Sequence, residues 1–454
     1  MPAASPAAGA LLPYRAAVNL LWALAALATM LAITLGWPRR VAALAGAGAG
    51  VLLLSLGGLV GWTDLVETAT TLWRPLITVT GVMLMTACAH HVGLFAALAE
   101  LVEPATRGPV RRAFRLVFTL SAVTASLLSN DAAILVLTPT VITLLRTVYP
   151  RRHPKFTLAF SFAVFYSAGV APLVTGNPMN VVVAGHAGIG FNAYALTMVP
   201  VAVVGWLVAY PLLSRQFAAE LADEAPALGA WPRNRPPLRG RAALVVLAMA
   251  AVLVAYPVIS YLDGPLWMVA GTGALVCFAA ALGVPGRGAD EPDVEGAAAP
   301  RRVAFSILGE LSWELLPFLA AVLLVARGLA TAGVVDGLAW IIGASPAPLA
   351  TMGLLSAAGS AAINNHPMAM LGSLAVSQLP GPAPTGLTLA GLVGGDLGPR
   401  LLPIGSLAGL LWMSILRQHG VALSVGRFIR IGVVVTVPSL LASLAMLWLM
   451  TRLW

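Results

Sequence analysis

Charged residues are scarce in this chain: only 9% of its 454 residues are Asp, Glu, Lys or Arg, whereas 59% are hydrophobic. Soluble domains normally carry about 25% charged residues, so the composition argues against a soluble protein. Apolar runs of roughly 20 residues, the length that crosses a bilayer as a helix, recur along the chain. We therefore expect an all-α polytopic membrane protein.

Cysteine is limited to two residues, Cys88 and Cys277, and both lie in apolar sequence. Their number and placement exclude a disulfide framework, and they fit no metal-ligand spacing. We interpret them as packing residues and expect no metal site and no cofactor.

The chain also lacks a Gly-rich phosphate-binding loop ending in Lys and Ser or Thr, so we expect no ATPase activity of its own. Nor does it contain the spaced nucleophile–base pair or metal ligands of an intramembrane hydrolase, so an enzyme is not expected. The net charge of +9 resides mainly in short loops between apolar runs. That placement is typical of membrane orientation rather than of nucleic-acid binding.

The first apolar run, from about residue 16 to 36, is too long for the hydrophobic part of a signal peptide, and no convincing cleavage site follows. We expect it to remain as a helix after a poorly ordered tail at 1–15. An amphipathic stretch at 90–104 is expected at the membrane interface. In all, the hydropathy pattern predicts ten crossings and two re-entrant hairpins. The ten crossings are residues 16–36, 41–61, 72–89, 155–174, 195–213, 242–262, 265–284, 306–326, 386–416 (broken) and 428–450.

The two predicted hairpins have polar tips between short apolar arms. The first has arms at 114–128 and 131–147, with its tip near 129–131. The second has arms at 347–363 and 367–379, with its tip near 364–367. Each arm is short for a full crossing, and non-helical backbone at membrane depth must be covered by protein or water. The tips are therefore expected deep in the membrane and within the protein.

Each tip motif is followed by a second polar stretch that Gly and Pro interrupt. SNDAAILVLTP (129–139) precedes TGNPMN (175–180), and NNHPMAMLGS (364–373) precedes GGDLGPRLLPIGSLAGLLW (394–412). Interrupted apolar segments at corresponding places in two halves indicate the central site of a transporter.

We accordingly predict an N-terminal repeat at 16–213, a polar cytoplasmic linker at 214–241 and a C-terminal repeat at 242–454. With the N-terminus outside, most of the 26 Lys and Arg residues fall in inside loops, as the positive-inside rule requires. The first hairpin then enters from the cytoplasm and the second from outside, which is the arrangement of an inverted repeat.

The candidate substrate ligands are the polar and small residues of these four stretches. Amide side chains offer donors and acceptors without charge, which suits a hydroxylated neutral solute or a partly dehydrated ion. The alternative is that the asparagines only cap the hairpin helices. We expect Asn130 and Asn365 to meet near the membrane centre. The candidates are Ser129, Asn130, Thr175, Gly176, Asn177, Asn180, Asn364, Asn365, Gly405 and Ser406.

Three titratable residues near the tips are candidates for proton coupling: Asp131, Asp396 and His366. An ionisable group at membrane depth is by default a functional candidate. Asp131 has the alternative role of a helix N-cap. Asp396 has that of an ion-pair partner for Arg400, four residues on and able to share a helix face.

Taken together, the motifs resemble those of the arsenite efflux permease (ArsB) family of the ion transporter superfamily. The best match is GGDLGPRLLPIGSLAGLLW, and SNDAAILVLTP and INNHP (363–367) resemble the two hairpin motifs. The resemblance implies inverted repeats and an inner-membrane location. It also implies export of arsenite and antimonite against proton entry. Some members work with a soluble ATPase subunit, which leaves such a partner open for this chain.

Two positions depart from the family pattern. His366 stands where an apolar or thioether residue is expected, and TGNPMN is closer to the wider superfamily. That superfamily includes sodium/proton antiporters and carboxylate carriers, which form the alternative function. A carboxylate carrier should pair two Ser-Asn-Thr tips, whereas this chain has Asp at one tip and His-Pro at the other.

Overall fold

The computed structural model describes residues 6–36, 40–150, 154–222, 238–284, 300–380 and 385–453. These residues form α-helices and short 3-10 turns, with no β-strand among them, which confirms the predicted all-α class. Much of the predicted linker, 223–237, lies outside the described residues. The helices are α1 (Pro6–Gly36), α2 (Arg40–Leu56), α3 (Trp62–His91), α4 (Leu94–Val102), α5 (Val110–Leu127), α6 (Asn130–Val148), α7 (Pro154–Ser167), α8 (Pro178–His186), α9 (Phe191–Gln216), α10 (Ala218–Leu221), α11 (Arg241–Tyr261), α12 (Leu266–Ala281), α13 (Pro300–Gly309), α14 (Leu315–Thr331), α15 (Val334–Gly343), α16 (Pro348–Ile363), α17 (Asn365–Ser377), α18 (Thr385–Leu397), α19 (Leu407–Gln418) and α20 (Val425–Leu453).

Four helices of the described chain are long and apolar enough to cross a membrane unaided: α3, α9, α11 and α20. Helices α14 and α15 pass the same test as a pair, but they meet at a bend of 77°. Shorter apolar helices include α12 and α16. The number of crossings and the re-entrance of the hairpins stay predictions.

The arms of both predicted hairpins are helices with nearly the expected bounds. Helices α5 and α6 flank the first tip, and α16 and α17 flank the second. Helices α16 and α17 pack closely, since a Cβ on Gly359 would lie 2.3 Å from the Sδ atom of Met368.

Helix α7 ends at Ser167 rather than near 174, and three other predicted helix bounds were also wrong. Helix α1 begins at Pro6, within the expected tail. Helix α3 begins at Trp62 rather than near 72, because the polar segment before the apolar run contains no Gly or Pro and continues the helix. The predicted crossing at 306–326 is two helices, α13 and α14, with a break between Gly309 and Leu315. Hydropathy marks apolar runs, not the ends of helices, which accounts for all four.

The chain divides into two compact units. The first unit comprises residues 1–73, 312–399 and 404–406, and the second comprises 74–311, 400–403 and 407–454. These units are defined by contacts, so they do not test the predicted repeats, which concern symmetry along the chain.

Within the first unit, α1 and α14 pack on α2, and α16 packs on α18 and α17. The α16–α18 contact brings two backbones together. A Cβ on Gly394 would lie 2.2 Å from the carbonyl oxygen of Gly353, and one on Gly398 would lie 2.3 Å from that of Ala357. Only glycine permits this approach.

Within the second unit, α9 packs along α20, α11 along α12, and α7 against α5 and α6. Its core contains an aromatic cluster around Trp412, whose indole stacks on Phe165 with centroids 4.5 Å apart. Phe162 meets the same indole edge-on at 5.0 Å. Such offset and edge-on pairs contribute beyond their buried area.

Candidate functional site

The first tip lies in the second unit, where α5 ends at Leu127 and α6 begins at Asn130. Ser129 and Asn130 are both buried, with Asn130 only 6% exposed. The Asn130 Nδ2 atom donates a hydrogen bond of 3.0 Å to the carbonyl oxygen of Gly169. Asn130 therefore contacts the non-helical backbone that follows α7.

That backbone, from residue 168 to 173, loses the hydrogen bonds that a helix would provide. Buried carbonyls must be satisfied by other donors, and most strictly so at membrane depth. Here the carbonyl oxygen of the last residue of α7 and two carbonyl oxygens of the segment accept hydrogen bonds from side chains of α6 and α9. The three bonds are Trp206 Nε1 to Ser167 (2.8 Å), Asn130 Nδ2 to Gly169 (3.0 Å) and Tyr194 Oη to Ala171 (3.1 Å).

The TGNPMN motif forms a 3-10 turn and then starts α8. Asn177 is the N-cap of α8, because its Oδ1 atom accepts from the Met179 backbone N–H at 3.1 Å. Pro178 at the first helical position suits this start. The Asn180 Nδ2 atom donates to Tyr194 Oη at 2.8 Å, which extends the network to Ala171.

Thr175 and Gly176 occupy the 3-10 turn before this cap. Gly176 is close to α5, since a Cβ there would lie 3.6 Å from the carbonyl oxygen of Ala125. Thr175 borders a cavity of about 20 Å³ that Tyr256 also lines. Among the described residues, neither hydroxyl has a hydrogen-bond partner. A volume of this size is enough for one water molecule.

The second tip lies in the first unit, where α16 ends at Ile363 and α17 begins at Asn365. Asn364 between them has φ +78° and ψ 149°, a region that residues other than glycine rarely adopt. Its Oδ1 atom accepts from the backbone N–H of His366 at 3.3 Å and so caps α17. Asn365 and His366 are buried.

At the tips, Asn364 caps α17, Asn365 is the first residue of that helix, and the Asn130 amide donates to another segment. Asn177 caps α8, outside the hairpins. Capping does not exclude ligand binding, so the substrate roles of these asparagines stay predictions.

The two candidate carboxylates differ in exposure. Asp131 lies in the first turn of α6 and is partly exposed. Asp396 lies in the last turn of α18 and is only 4% exposed. The spacing argument for an Asp396–Arg400 pair assumed one continuous helix, but α18 ends at Leu397 and a 3-10 turn follows.

Arg400 is buried in the second unit. Its guanidinium lies over the ring of Phe165, 5.5 Å from the centroid, and donates to the carbonyl oxygen of that residue at 3.4 Å. A cation–π contact of this kind stabilises a cation that is shielded from water.

Gly405 and Ser406 complete the set of sequence candidates. Gly405 ends the 3-10 turn Pro403–Gly405, where a Cβ would lie 2.5 Å from the Cα atom of Pro399. Close packing alone therefore requires glycine at this position. Ser406 is partly exposed and precedes α19.

Sequence reasoning missed Trp206, Tyr194 and Phe318. The first two satisfy the broken backbone, and the Phe318 ring meets the His366 imidazole edge-on at 5.8 Å. Aromatic residues in apolar helices are common, so nothing in the sequence singled these out. In the described part of the chain, no cluster of His, Cys, Asp and Glu could hold a metal ion.

Comparison with known proteins shows what the chain resembles. It is 31% identical over 414 residues to the arsenical pump membrane protein of Escherichia coli (strain K12), covering 88% of this chain and 91% of the relative. It is 29% identical over 429 residues to that of Yersinia enterocolitica, covering 91% and 93%. An uncharacterized transporter of Mycobacterium tuberculosis (strain ATCC 25618 / H37Rv) is 27% identical over 399 residues, covering 83% and 86%.

A crystal structure with a similar fold is that of the YdaH transporter of Alcanivorax borkumensis. The two match with a TM-score of 0.54 over 87% of each chain, at 19% sequence identity. A profile of the family described as arsenical pump membrane protein, ArsB, matches residues 23–451. The chain therefore belongs to the ArsB family, and it is a multi-pass membrane transporter of the inner membrane rather than an enzyme.

Proposed function

We propose that this protein exports arsenite and antimonite from the cytoplasm, as neutral trihydroxy acids, in exchange for protons. The observation that carries the proposal is the family match, which extends over residues 23–451 and so includes both tips and both broken stretches. The most similar relatives described above are named arsenical pump membrane proteins.

The chemistry of the tips supports a neutral, hydroxylated substrate. The buried polar side chains at the tips include the amides of Asn130, Asn364 and Asn365. Amides bind hydroxyl groups as donors or acceptors without carrying a charge. We propose as ligands the set predicted from the sequence, which includes the tip asparagines.

A neutral solute is not driven by the membrane potential, so its uphill export needs a coupled ion. We assign the transported proton to Asp131, because a proton carrier must exchange with water and this residue is partly exposed. Asp396 is nearly inaccessible by comparison. A soluble ATPase subunit, as some family members have, is a further proposed partner.

Metalloid tolerance tests the substrate. A bacterial host that lacks its own arsenic efflux should grow at higher arsenite and antimonite concentrations when it expresses the protein than when it carries the empty vector. If tolerance is unchanged while membranes containing the protein show sodium/proton exchange or dicarboxylate transport, the proposed substrate is wrong.

A further inference from the structure

Three buried polar side chains near the second tip each contain an atom that has no hydrogen-bond partner among the described residues of the first unit. They are Ser360 near the end of α16 and Asn365 and His366 at the start of α17, exposed by 0%, 5% and 4% respectively. The unpartnered atoms are Ser360 Oγ, Asn365 Oδ1 and His366 Nε2. We call these three residues the tip cluster. Buried polar atoms without partners cost free energy, so several at one place indicate a ligand that supplies what is missing.

The neighbouring Asn364 determines which atom of His366 carries the proton. Asn364 Oδ1 accepts from the His366 backbone N–H at 3.3 Å, and since a backbone N–H only donates, the amide must present its oxygen there. The same oxygen lies 3.3 Å from His366 Nδ1. An amide oxygen cannot donate, so Nδ1 must carry the hydrogen.

The imidazole is neutral in this setting. The structure gives His366 no carboxylate contact among the described residues, and its ring instead meets the edge of Phe318. A buried imidazolium without a counter-charge would be strongly disfavoured. With Nδ1 protonated, the neutral ring has a lone pair on Nε2, which is a hydrogen-bond acceptor.

The unpartnered atoms of the tip cluster can therefore all accept a hydrogen bond. Asn365 Oδ1 and His366 Nε2 both accept, and Ser360 Oγ can accept or donate. An anion can only accept hydrogen bonds, so it would leave Asn365 Oδ1 and His366 Nε2 without a donor. A sodium ion prefers oxygen ligands over an imidazole nitrogen. A neutral solute with several hydroxyl groups carries donors of the kind that these atoms lack.

We propose that His366 is a specificity residue that accepts a hydrogen bond, through Nε2, from a hydroxyl group of a neutral polyhydroxylated metalloid acid, with Asn365 and Ser360 accepting from its other hydroxyls. This inference rests on the proposed function and assigns His366 to substrate recognition instead of proton coupling. Asn364 is the positioning residue, because it fixes the tautomer and does not itself need to touch the substrate.

Two replacements of His366 separate these roles. In His366→Gln the side-chain amide reaches the Nε2 position and keeps an acceptor there. In His366→Asn the amide reaches only the Nδ1 position, so the acceptor is lost. Neither variant can carry a proton. The measurement is the initial rate of labelled arsenite uptake by everted membrane vesicles over a range of concentrations, with and without a pH gradient.

We expect His366→Gln to keep a KM within about threefold of the wild type and His366→Asn to raise it by about 10- to 100-fold, as for a lost buried hydrogen bond. Both should keep gradient-driven accumulation at saturating arsenite. Equal KM values for the two variants would overturn the proposal, and so would loss of gradient dependence in both, which would make His366 the proton carrier.

Two serines on α16 provide a test of the cluster that does not depend on the folding of the histidine variants. Ser356 Oγ donates to the Gly391 carbonyl oxygen at 2.6 Å, whereas Ser360 Oγ has no partner among described residues. Ser360→Ala should weaken arsenite affinity severalfold and leave the thermal midpoint in detergent unchanged. Ser356→Ala should lower the thermal midpoint and leave arsenite affinity unchanged. If Ser360→Ala lowers the thermal midpoint and Ser356→Ala weakens arsenite affinity, the tip cluster does not bind the substrate. If wild-type vesicles take up no arsenite, the proposed function is wrong, and this inference is wrong with it.

Discussion

At the scale of single residues, Asn130 shows how a candidate binding residue can also hold the fold together. Its amide donates to the Gly169 carbonyl oxygen in a segment that has no helical hydrogen bonds. A ligand would have to share this amide with the backbone. The same reasoning applies to Tyr194, which bridges Asn180 and Ala171.

Replacing Asn130 should therefore affect stability as well as transport. Asn130→Ala leaves the buried Gly169 carbonyl without its donor, which should cost about 1–3 kcal/mol and lower the thermal midpoint in detergent. Asn130→Asp should lower the midpoint further, because it places two acceptors together. Thr197→Val, which removes a hydroxyl bonded only within its own exposed helical turn, should change little. An unchanged midpoint in Asn130→Ala would mean that this bond does not support the backbone.

The coupling role of Asp131 is tested at the same scale. Asp131→Asn keeps the size and hydrogen bonding of the side chain but cannot release a proton. It should abolish arsenite accumulation driven by a pH gradient in everted vesicles and still allow exchange of labelled for unlabelled arsenite. Asp396→Asn is the comparison and should reduce accumulation less. Gradient-driven accumulation that persists in Asp131→Asn would assign the proton to another group.

At the scale of elements, the helices that flank each tip were predictable, whereas the breaks between α13 and α14 and between α14 and α15 were not. The polar pairs near 130 and 365 interrupt long apolar sequence, so both tips could be located to within a few residues. Gly333 lies at the bend between α14 and α15 and has the left-handed conformation, with φ +84°. The two helices together are apolar enough for a single crossing, so hydropathy does not reveal the bend. The Trp206 and Tyr194 contacts depend on tertiary packing, which no local pattern encodes.

The contact between α16 and α18 gives a prediction for these elements. In Gly394→Ala the new methyl group would overlap the Gly353 carbonyl oxygen, and separating the helices should cost roughly 1–3 kcal/mol. Gly337→Ala is the matched control, since it lies in a helix of the same unit with nothing within 4 Å of its added Cβ. Detergent unfolding midpoints compare the two. If both variants match the wild type, the backbones are not in contact.

At the scale of the whole molecule, the chain is a transporter of the ArsB family whose candidate sites contain no thiol. Both cysteines are free and buried, and neither lies at a tip or a broken stretch. Because trivalent arsenic binds thiols readily, an intuitive model would place substrate at Cys88 or Cys277. Instead, the tips offer amides, hydroxyls and an imidazole.

The double variant Cys88→Ser, Cys277→Ser should therefore confer the same arsenite tolerance as the wild type. Serine is close in size, and at position 277 it retains a donor for the Val245 carbonyl oxygen that the thiol now contacts at 3.7 Å. Growth across a series of arsenite concentrations, at matched protein levels, gives the comparison. A large loss of tolerance at equal expression would contradict a thiol-free site.

Proton-coupled arsenite export is the central claim, and uptake by everted membrane vesicles tests it most directly. In these vesicles the cytoplasmic face points outward, so export appears as accumulation inside. Vesicles with an acidic interior should accumulate labelled arsenite above the external concentration without ATP, and a protonophore should release it. Vesicles from cells with the empty vector should not accumulate it. Uptake that ignores the imposed gradient, or that occurs only when ATP is added, would contradict the account.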